Sequence, residues 1–405
     1  MRKLIMMALI AAMSTVTAMA KDDAVKSILK AKDYTEASNL LNSSLSTLTP
    51  AQKAKAYNKL VDLSLEKANK ELNTINTNAV SAQLGQNKKD PVDTLGMYKA
   101  LYTAFKDAME CDKYDQMPNE KGKVAPKFHK ANQTRLLPLR VHFINAGQDA
   151  GNKNDSKGAF DYYGMYVESA SAPLFADAEK ANARDEYLGQ VARVAAVFAF
   201  QNKNMDLANK YCDVALGDTA SYKDALSLKM YLMQQTLKTK EDSLKCLTQF
   251  EELYKKDSKN EQIFNNLVNM YGNLNMKDKQ LQLINEKIAQ DPNNFTAWAL
   301  KGQNEMNSNK WDEAIADFKK ALSIDDKKVI ILTYLGFSIN SKAAALNVPA
   351  EQKKLYTESL GYLEKARNLD PDRKEANWSY PLYQCYYTLY GATDSRTKEI
   401  EALIK

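Results

Sequence analysis

Two stretches of equal length lie end to end in residues 261–328 and repeat one pattern. The first carries Phe264, Leu267 and Tyr271, then Leu281, Ile284 and Ile288, and closes on Asp291-Pro292. The second carries Trp298 and Gly302, then Ala314, Phe318, Ala321 and Leu322, and closes on Asp325-Asp326. Phe264 to Trp298 is 34 positions, and Leu281 to Ile315 is the same. Self-similarity at that period restricts the fold more than composition does. Each unit is a helix–turn–helix pair whose apolar surface only the next unit can cover. The expected fold class is all-α, helical hairpins stacked into a superhelical solenoid.

The pattern extends beyond these two units. Ala192, Ala195, Ala196, Ala199 and Phe200 mark a small-residue first helix, and Cys212, Ala215 and Leu216 its partner. Met230, Met233 and Leu237, then Cys246, Phe250 and Tyr254, mark the next pair. After Asp326, Leu332, Leu335 and Gly336 repeat the first-helix signature. The matching second helix, at Leu360, Leu363 and Ala366, comes about eleven residues late against the 34-residue template. Asn347-Val348-Pro349 is expected to sit in a longer connection there. Asp291-Pro292 and Asp370-Pro371 end second helices, because proline disfavours helical backbone in the residue before it.

The N-terminal part is less regular. Thr49-Pro50 opens a helix through Leu60 and Leu65, and Asn73 to Asp90 is polar enough to read as a loop or weak helix. Pro91 to Lys113 is amphipathic, with Leu95, Tyr98, Leu101, Phe105 and Met109 at spacings of three and four. Residues 127–145 read as a helix bent at Pro138, whose ring removes a donor and clashes one turn back. A turn at Gly151–Ser156 leads into Ala159, Tyr163 and Tyr166, which look like a second repeat helix. The expected organisation is a signal peptide at 1–20, an irregular helical region at 21–184, a repeat array at 185–373 and capping helices at 374–405.

Residues 1–20 read as an export signal. Met1-Arg2-Lys3 is a charged start, Leu4 to Met13 an apolar run, and Ala18-Met19-Ala20 a small-x-small cleavage site. Cleavage after Ala20 implies an exported, periplasmic chain, and no cysteine stands there to take a lipid. No later stretch is long and apolar enough to span a bilayer. Without Arg2 and Lys3 the chain has 54 basic against 50 acidic side chains, a net +4 over 385 residues. So mild a charge, alternating in sign along most segments, argues against nucleic acid as a partner.

Little supports catalysis. His129 and His142 are the two histidines, without cysteines or carboxylates at metal-ligand spacing. No G-x-S-x-G or G-x-x-x-x-G-K-[ST] occurs, and the S-x-x-K matches at Ser27 and Ser64 lack the K-T-G that would accompany them. No enzyme activity, cofactor or metal is expected. Cys111, Cys212, Cys246 and Cys385 are widely spaced and read mainly as buried thiols. Cys212 and Cys246, on second helices of successive pairs, are the one pairing to consider.

Apolar and small residues at this spacing resemble the tetratricopeptide repeat over about half of the chain. Two positions depart from its pattern: Lys301 replaces an apolar residue and Gln280 a small one, which suggests local looseness. The signal and the Lys-, Asn- and Tyr-rich composition resemble exported repeat proteins of Gram-negative bacteria, especially Bacteroidota. The resemblance implies a ligand groove on the first helices, carrying Gln262, Asn265, Asn269 and Asn273, then Gln303 and Asn307. Amides donate and accept, which suits a peptide backbone or sugar hydroxyls. The neutral stripe disfavours the carboxylate clamp that some family members build from Lys and Arg. Trp378, Tyr383 and Tyr387 belong to a C-terminal aromatic cluster, either a contact platform or a cap on the end of the array. The implied function is an exported scaffold that binds a protein partner in the cell envelope, the alternative being a glycan or peptidoglycan binder.

Overall fold

The computed structural model describes residues 23–86, 89–119, 121–176, 178 and 185–404. The segment read as an export signal, 1–20, lies outside the described residues. Among the described residues the regular elements are all helices, and none is long and apolar enough to cross a membrane. The chain divides into two compact units, Met1–Thr236 and Leu237–Lys405. This division falls inside the segment 185–373 expected as one array.

In the first unit α1 covers residues 23–30, followed by α2 (Tyr34–Ser44), α3 (Pro50–Gln83), α4 (Thr94–Asp115) and α5 (His129–Leu136). Then come α6 (His142–Asn152), α7 (Ser156–Ser171), α8 (Leu188–Gln201), α9 (Met205–Leu216) and α10 (Tyr222–Gln235). Polar side chains start these helices where the sequence offers them. Thr49 and Gln52 form a reciprocal capping box on α3, and Asp33, Asp93, Asp155 and Asn204 accept N–H groups from α2, α4, α7 and α9. Each cap satisfies donors that would otherwise be unpaired.

Two expectations are settled here. Of loop or weak helix, the polar stretch from Asn73 takes the helix: α3 runs unbroken to Gln83, with Val80 and Leu84 exposed near its end. Asn78 fixes that end by exchanging hydrogen bonds of 2.8 Å with the backbone of Asp90. Pro138 breaks the helix outright, α5 stopping at Leu136 before a 3₁₀ turn, Leu137–Leu139, and α6 starting at His142. Of the apolar positions on α4, Leu95 is exposed, whereas Leu101 and Phe105 are fully buried.

The second unit contains α11 (Lys240–Lys256), α12 (Glu261–Asn273), α13 (Lys277–Gln290), α14 (Phe295–Asn307) and α15 (Trp311–Ile324). It continues with α16 (Val329–Ala344), α17 (Pro349–Leu369), α18 (Ser379–Tyr390) and α19 (Ser395–Ile404). Helices adjacent in sequence pack against each other, as short connections require. The late second helix has a simple cause. The extra residues lengthen α16 and α17, to 16 and 21 residues, leaving only 345–348 as the connection.

One turn recurs in both units. Asn154, Lys203, Asn275 and Asn309 adopt left-handed backbone, φ 56° to 61°. The next N–H in each case reaches back five residues to a helix carbonyl: Asp155 to Ala150, Asn204 to Ala199, Met276 to Tyr271 and Lys310 to Glu305, at 2.8–2.9 Å. This closure satisfies carbonyls at the end of the first helix and turns the chain into the second. Hairpin α6–α7 therefore has the repeat's turn, although it lies in the region expected to be irregular.

Helix contact then depends on small residues at fixed offsets from that turn. A Cβ on Gly302 would lie 2.7 Å from the ring of Phe318, and one on Gly147 would lie 2.7 Å from Tyr163. A Cβ on Gly336 would meet Leu363 at 2.5 Å. Ala159, Ala208 and Ala314, five residues after their left-handed positions, are fully buried. Where α13 has Gln280 at that offset, the amide donates to the Val268 carbonyl at 3.1 Å and accepts from Asn304 at 2.8 Å. Lys301 pairs with the buried Asp317 at 3.1 Å and lies over the Trp298 ring. The two departures from the pattern are tied down, correcting the expected looseness.

Candidate functional site: the first-helix face of the second unit

The 34-residue period places α12, α14 and α16 in register as first helices. Positions 262, 296 and 330 are equivalent, as are 269, 303 and 337, and 273, 307 and 341. Gln262, Asn269, Asn273, Asn307, Ile330 and Phe337 are exposed, and Thr296, Gln303 and Ser341 are half-buried. The opposite face of each helix is core: Ile263, Phe264, Leu267 and Val268 on α12, Leu332, Leu335 and Ile339 on α16. Apolar residues at spacings of three and four turn one face inward, which leaves the stripe outside.

Chemistry changes along the stripe. On α12 it is amide after amide. On α16 it is Ile330, 41% exposed, and Phe337, 38% exposed, with Trp311 edge-on to the Phe337 ring at 6.2 Å. Isolated exposed apolar residues are ordinary, but these two sit one period beyond Thr296 and Gln303 on the same face. They were missed by looking for amides, and carrying the 34-residue register one helix further would have found them.

The individual amides differ in what they are free to do. Asn265 is half-buried, and its side-chain oxygen is buried without a hydrogen-bond partner. Asn304 is committed to Gln280, and the Asn266 amide donates to the Gln262 carbonyl at 2.8 Å. Gln262, Asn265, Asn269 and Asn273 thus lie on one helix and Gln303 and Asn307 on the next, in the register expected of them. On the second-helix side a separate cleft of about 470 Å³ is lined by Glu251, Tyr254, Tyr271, Lys279 and Glu286 among others, and includes none of these amides.

The C-terminal aromatics separate into two groups. Trp378 is 1% exposed and its indole N–H donates to the Asp370 carbonyl at 2.7 Å. It is packing, so it is removed from any contact platform. Asp370 in turn accepts from the backbone N–H groups of Lys374, Glu375 and Ala376; although burial works against it, these bonds hold its carboxyl below the usual range. Tyr386 is buried and donates to Glu364 at 2.9 Å. Tyr380 and Tyr387 are about half exposed, and Tyr383 lies 5.8 Å from Tyr387, ring to ring.

No group of metal-ligand side chains occurs among the described residues. His129 Nδ1 lies 2.6 Å from Asp112 and 3.1 Å from Gln116, an arrangement internal to the α4–α5 corner. Burial pushes the His142 pKa down. All four cysteines are buried and free, so Cys212 and Cys246 are not paired. Cys212 and Cys111 donate instead to the carbonyls of Ala225 and Ala54, each at 3.2 Å.

Left-handed turns, small-residue contacts and a 34-residue register together define an all-α solenoid of stacked helical hairpins. No family model matches the chain, and no curated protein does. Solved structures do match at low similarity. YrrB, described as a TPR protein with an unusual peptide-binding site, is 19% identical over 49% of this chain and 93% of its own, TM-score 0.32. A TPR repeats protein from Bacteroides fragilis is 16% identical over 65% of this chain and 98% of its own, TM-score 0.30. MamA from Desulfovibrio magneticus is 13% identical over 47% and 99%, TM-score 0.33.

Proposed function

We propose that the chain is a non-catalytic scaffold that binds an extended segment of a partner protein along the first-helix face of Leu237–Lys405. One observation carries this reading: equivalent positions on three consecutive first helices stay accessible while the residues between them are core. Such a face collects several weak contacts into one specific interaction. Amides on α12 and α14 suit the alternating N–H and C=O groups of a peptide backbone. Ile330 and Phe337 suit an apolar side chain of the same segment, so the segment has a polar end and an apolar end. The signal-like residues 1–20 support placing this interaction in the bacterial cell envelope.

The test is a peptide array probed with the purified full chain. Binding to peptides that pair a polar stretch with one large apolar residue, weakened by Asn269→Ala and by Phe337→Ala, is the expected result. Retention of all binding by both variants sinks the reading. A second reading, glycan binding, is favoured by the half-exposed Tyr380 and Tyr387, which present rings of the kind that stack on sugars. Sedimentation with purified cell wall, lost on Tyr380→Ala/Tyr387→Ala, is its test.

A further inference from the structure

A cleft of about 660 Å³ in the first unit is lined by Thr49, Pro50, Ala51 and Lys55 at the start of α3, Tyr114 and Asp115 at the end of α4, and the loop before α5. Its size is that of a ligand pocket. Pro50, Tyr114, Met117, Pro118 and Phe128 make the surface largely apolar, while Lys55, Lys121, Lys123 and Lys127 stand around it. All four lysines are exposed. Asp115 is the one carboxylate among the described residues of the lining, and its oxygens are already engaged. Its oxygens accept from the backbone N–H groups of Lys127, Phe128 and His129 at 2.7–3.1 Å.

The loop is built to hold these lysines in place. The Asn119 side chain accepts from the N–H groups of Lys121 and Lys123, and its own N–H donates to the Lys123 carbonyl at 2.9 Å. Gly122 supplies the left-handed backbone that this turn needs, φ 71°. Tyr114 stacks on Tyr57 at 5.8 Å, fixing the aromatic wall. Glu120, in the same loop, lies outside the described residues. Lysines on two separate elements around an apolar surface match a ligand with several negative charges and one apolar group.

We infer that this cleft is a second binding site, separate from the first-helix face, and that it takes an acidic peptide segment carrying an aromatic side chain. The carboxylates meet Lys55, Lys121, Lys123 and Lys127, and the aromatic ring lies on the apolar surface. Lysine, a flexible point charge, tolerates variation in carboxylate spacing that a planar arginine fork would not.

Fluorescence polarisation with the full chain tests this. The probe is a short labelled peptide of glutamates flanking one phenylalanine, and its control has glutamine in place of each glutamate. The acidic peptide is expected to bind about tenfold or more tighter than the control and to weaken as salt is raised. Lys121→Gln/Lys123→Gln/Lys127→Gln should cost about tenfold, and Lys55→Gln, on a different element, a smaller factor. These exposed changes spare the backbone bonds of the loop, and circular dichroism checks that the fold is kept. Equal binding of the control, or no loss in the triple variant, overturns the proposal. So does displacement of the peptide by low concentrations of inorganic phosphate, which would make this a small-anion site.

Discussion

Gly302→Ala and Gly361→Ala are the same chemical change in two helices of one unit, and they should move stability in opposite directions. Both gain about 1 kcal/mol of helix propensity. At Gly361, an exposed position inside α17, an added Cβ would meet nothing within 4 Å, so the gain of about 0.5–1 kcal/mol is kept. At Gly302 the Cβ would sit 2.7 Å from Cδ1 and Cε1 of Phe318 and 3.1 Å from Cγ. That ring is fully buried, with the Tyr334 ring 6.0 Å from it, so it must shift against packed neighbours. Overpacking of this kind costs about 1–3 kcal/mol, a net loss of up to about 2 kcal/mol once the propensity gain is subtracted. All three tryptophans, Trp298, Trp311 and Trp378, lie in Leu237–Lys405, so urea unfolding followed by tryptophan fluorescence reports on this unit. With a slope of about 2 kcal/mol/M, the Gly302→Ala midpoint falls by up to about 1 M and the Gly361→Ala midpoint rises by about 0.3–0.5 M. Adding Phe318→Leu to Gly302→Ala should recover part of the loss, since the pair is coupled. Equal stabilisation by both alanines would refute the claim that α14 and α15 are held at contact distance by a missing side chain.

Three further outcomes are expected. Asp107 is buried and bonded to the Tyr34 hydroxyl, and burial pushes its pKa up to about 6. The unfolded chain then binds fewer protons than the folded one between about pH 4 and 6, so stability falls across that window by up to about 3 kcal/mol and is flat above it; Asp107→Asn should flatten the window in a pH series of urea midpoints. Burial raises the thiols of Cys246 and Cys385 to about 11 and those of Cys111 and Cys212 to about 12. Alkylation at pH 8 should therefore be slow at every cysteine in the native protein and fast at all four in urea, and fast native labelling of any of them would show that site to be open. Lys203 holds left-handed backbone, φ 61°, a conformation that costs a β-carbon residue about 1–2 kcal/mol. Lys203→Gly should raise the midpoint slightly, and a loss would mean that the turn is not strained.

What was legible in the sequence was what repeats at 34 residues. Phe264, Trp298, Gly302 and Phe318 announce helix pairs because their spacing reflects direct contact, as between Gly302 and Phe318. Hairpin α6–α7 has the same turn and the same small-against-large contact, and Ala159, Tyr163 and Tyr166 mark its second helix, but Asn154 stands 49 residues before Lys203, so no period ties it to the array. Gln280 and Lys301 read as defects because a residue's partner is a tertiary fact: Asn304 and Val268 for one, Asp317 for the other. The polar end of α3 reads as either loop or weak helix for a related reason, since the bonds to Asp90 that hold it are tertiary. Among the stripe residues, the amides share a spacing visible within one helix, whereas Ile330 and Phe337 join them only through the 34-residue register. Trp378 could not be told from its neighbours by composition, because it precedes the aromatic helix as its N-cap and its burial is known only from the packing.

The central claim is that a partner lies along the first helices of the second unit. A photo-crosslinking amino acid placed singly at Asn269, at Phe337 and, on second helices, at Gln282 and Lys320 tests it directly in living cells. The account predicts the same discrete protein adduct from positions 269 and 337 and none from 282 and 320. Adducts from the second-helix positions, with none from the first, would contradict it.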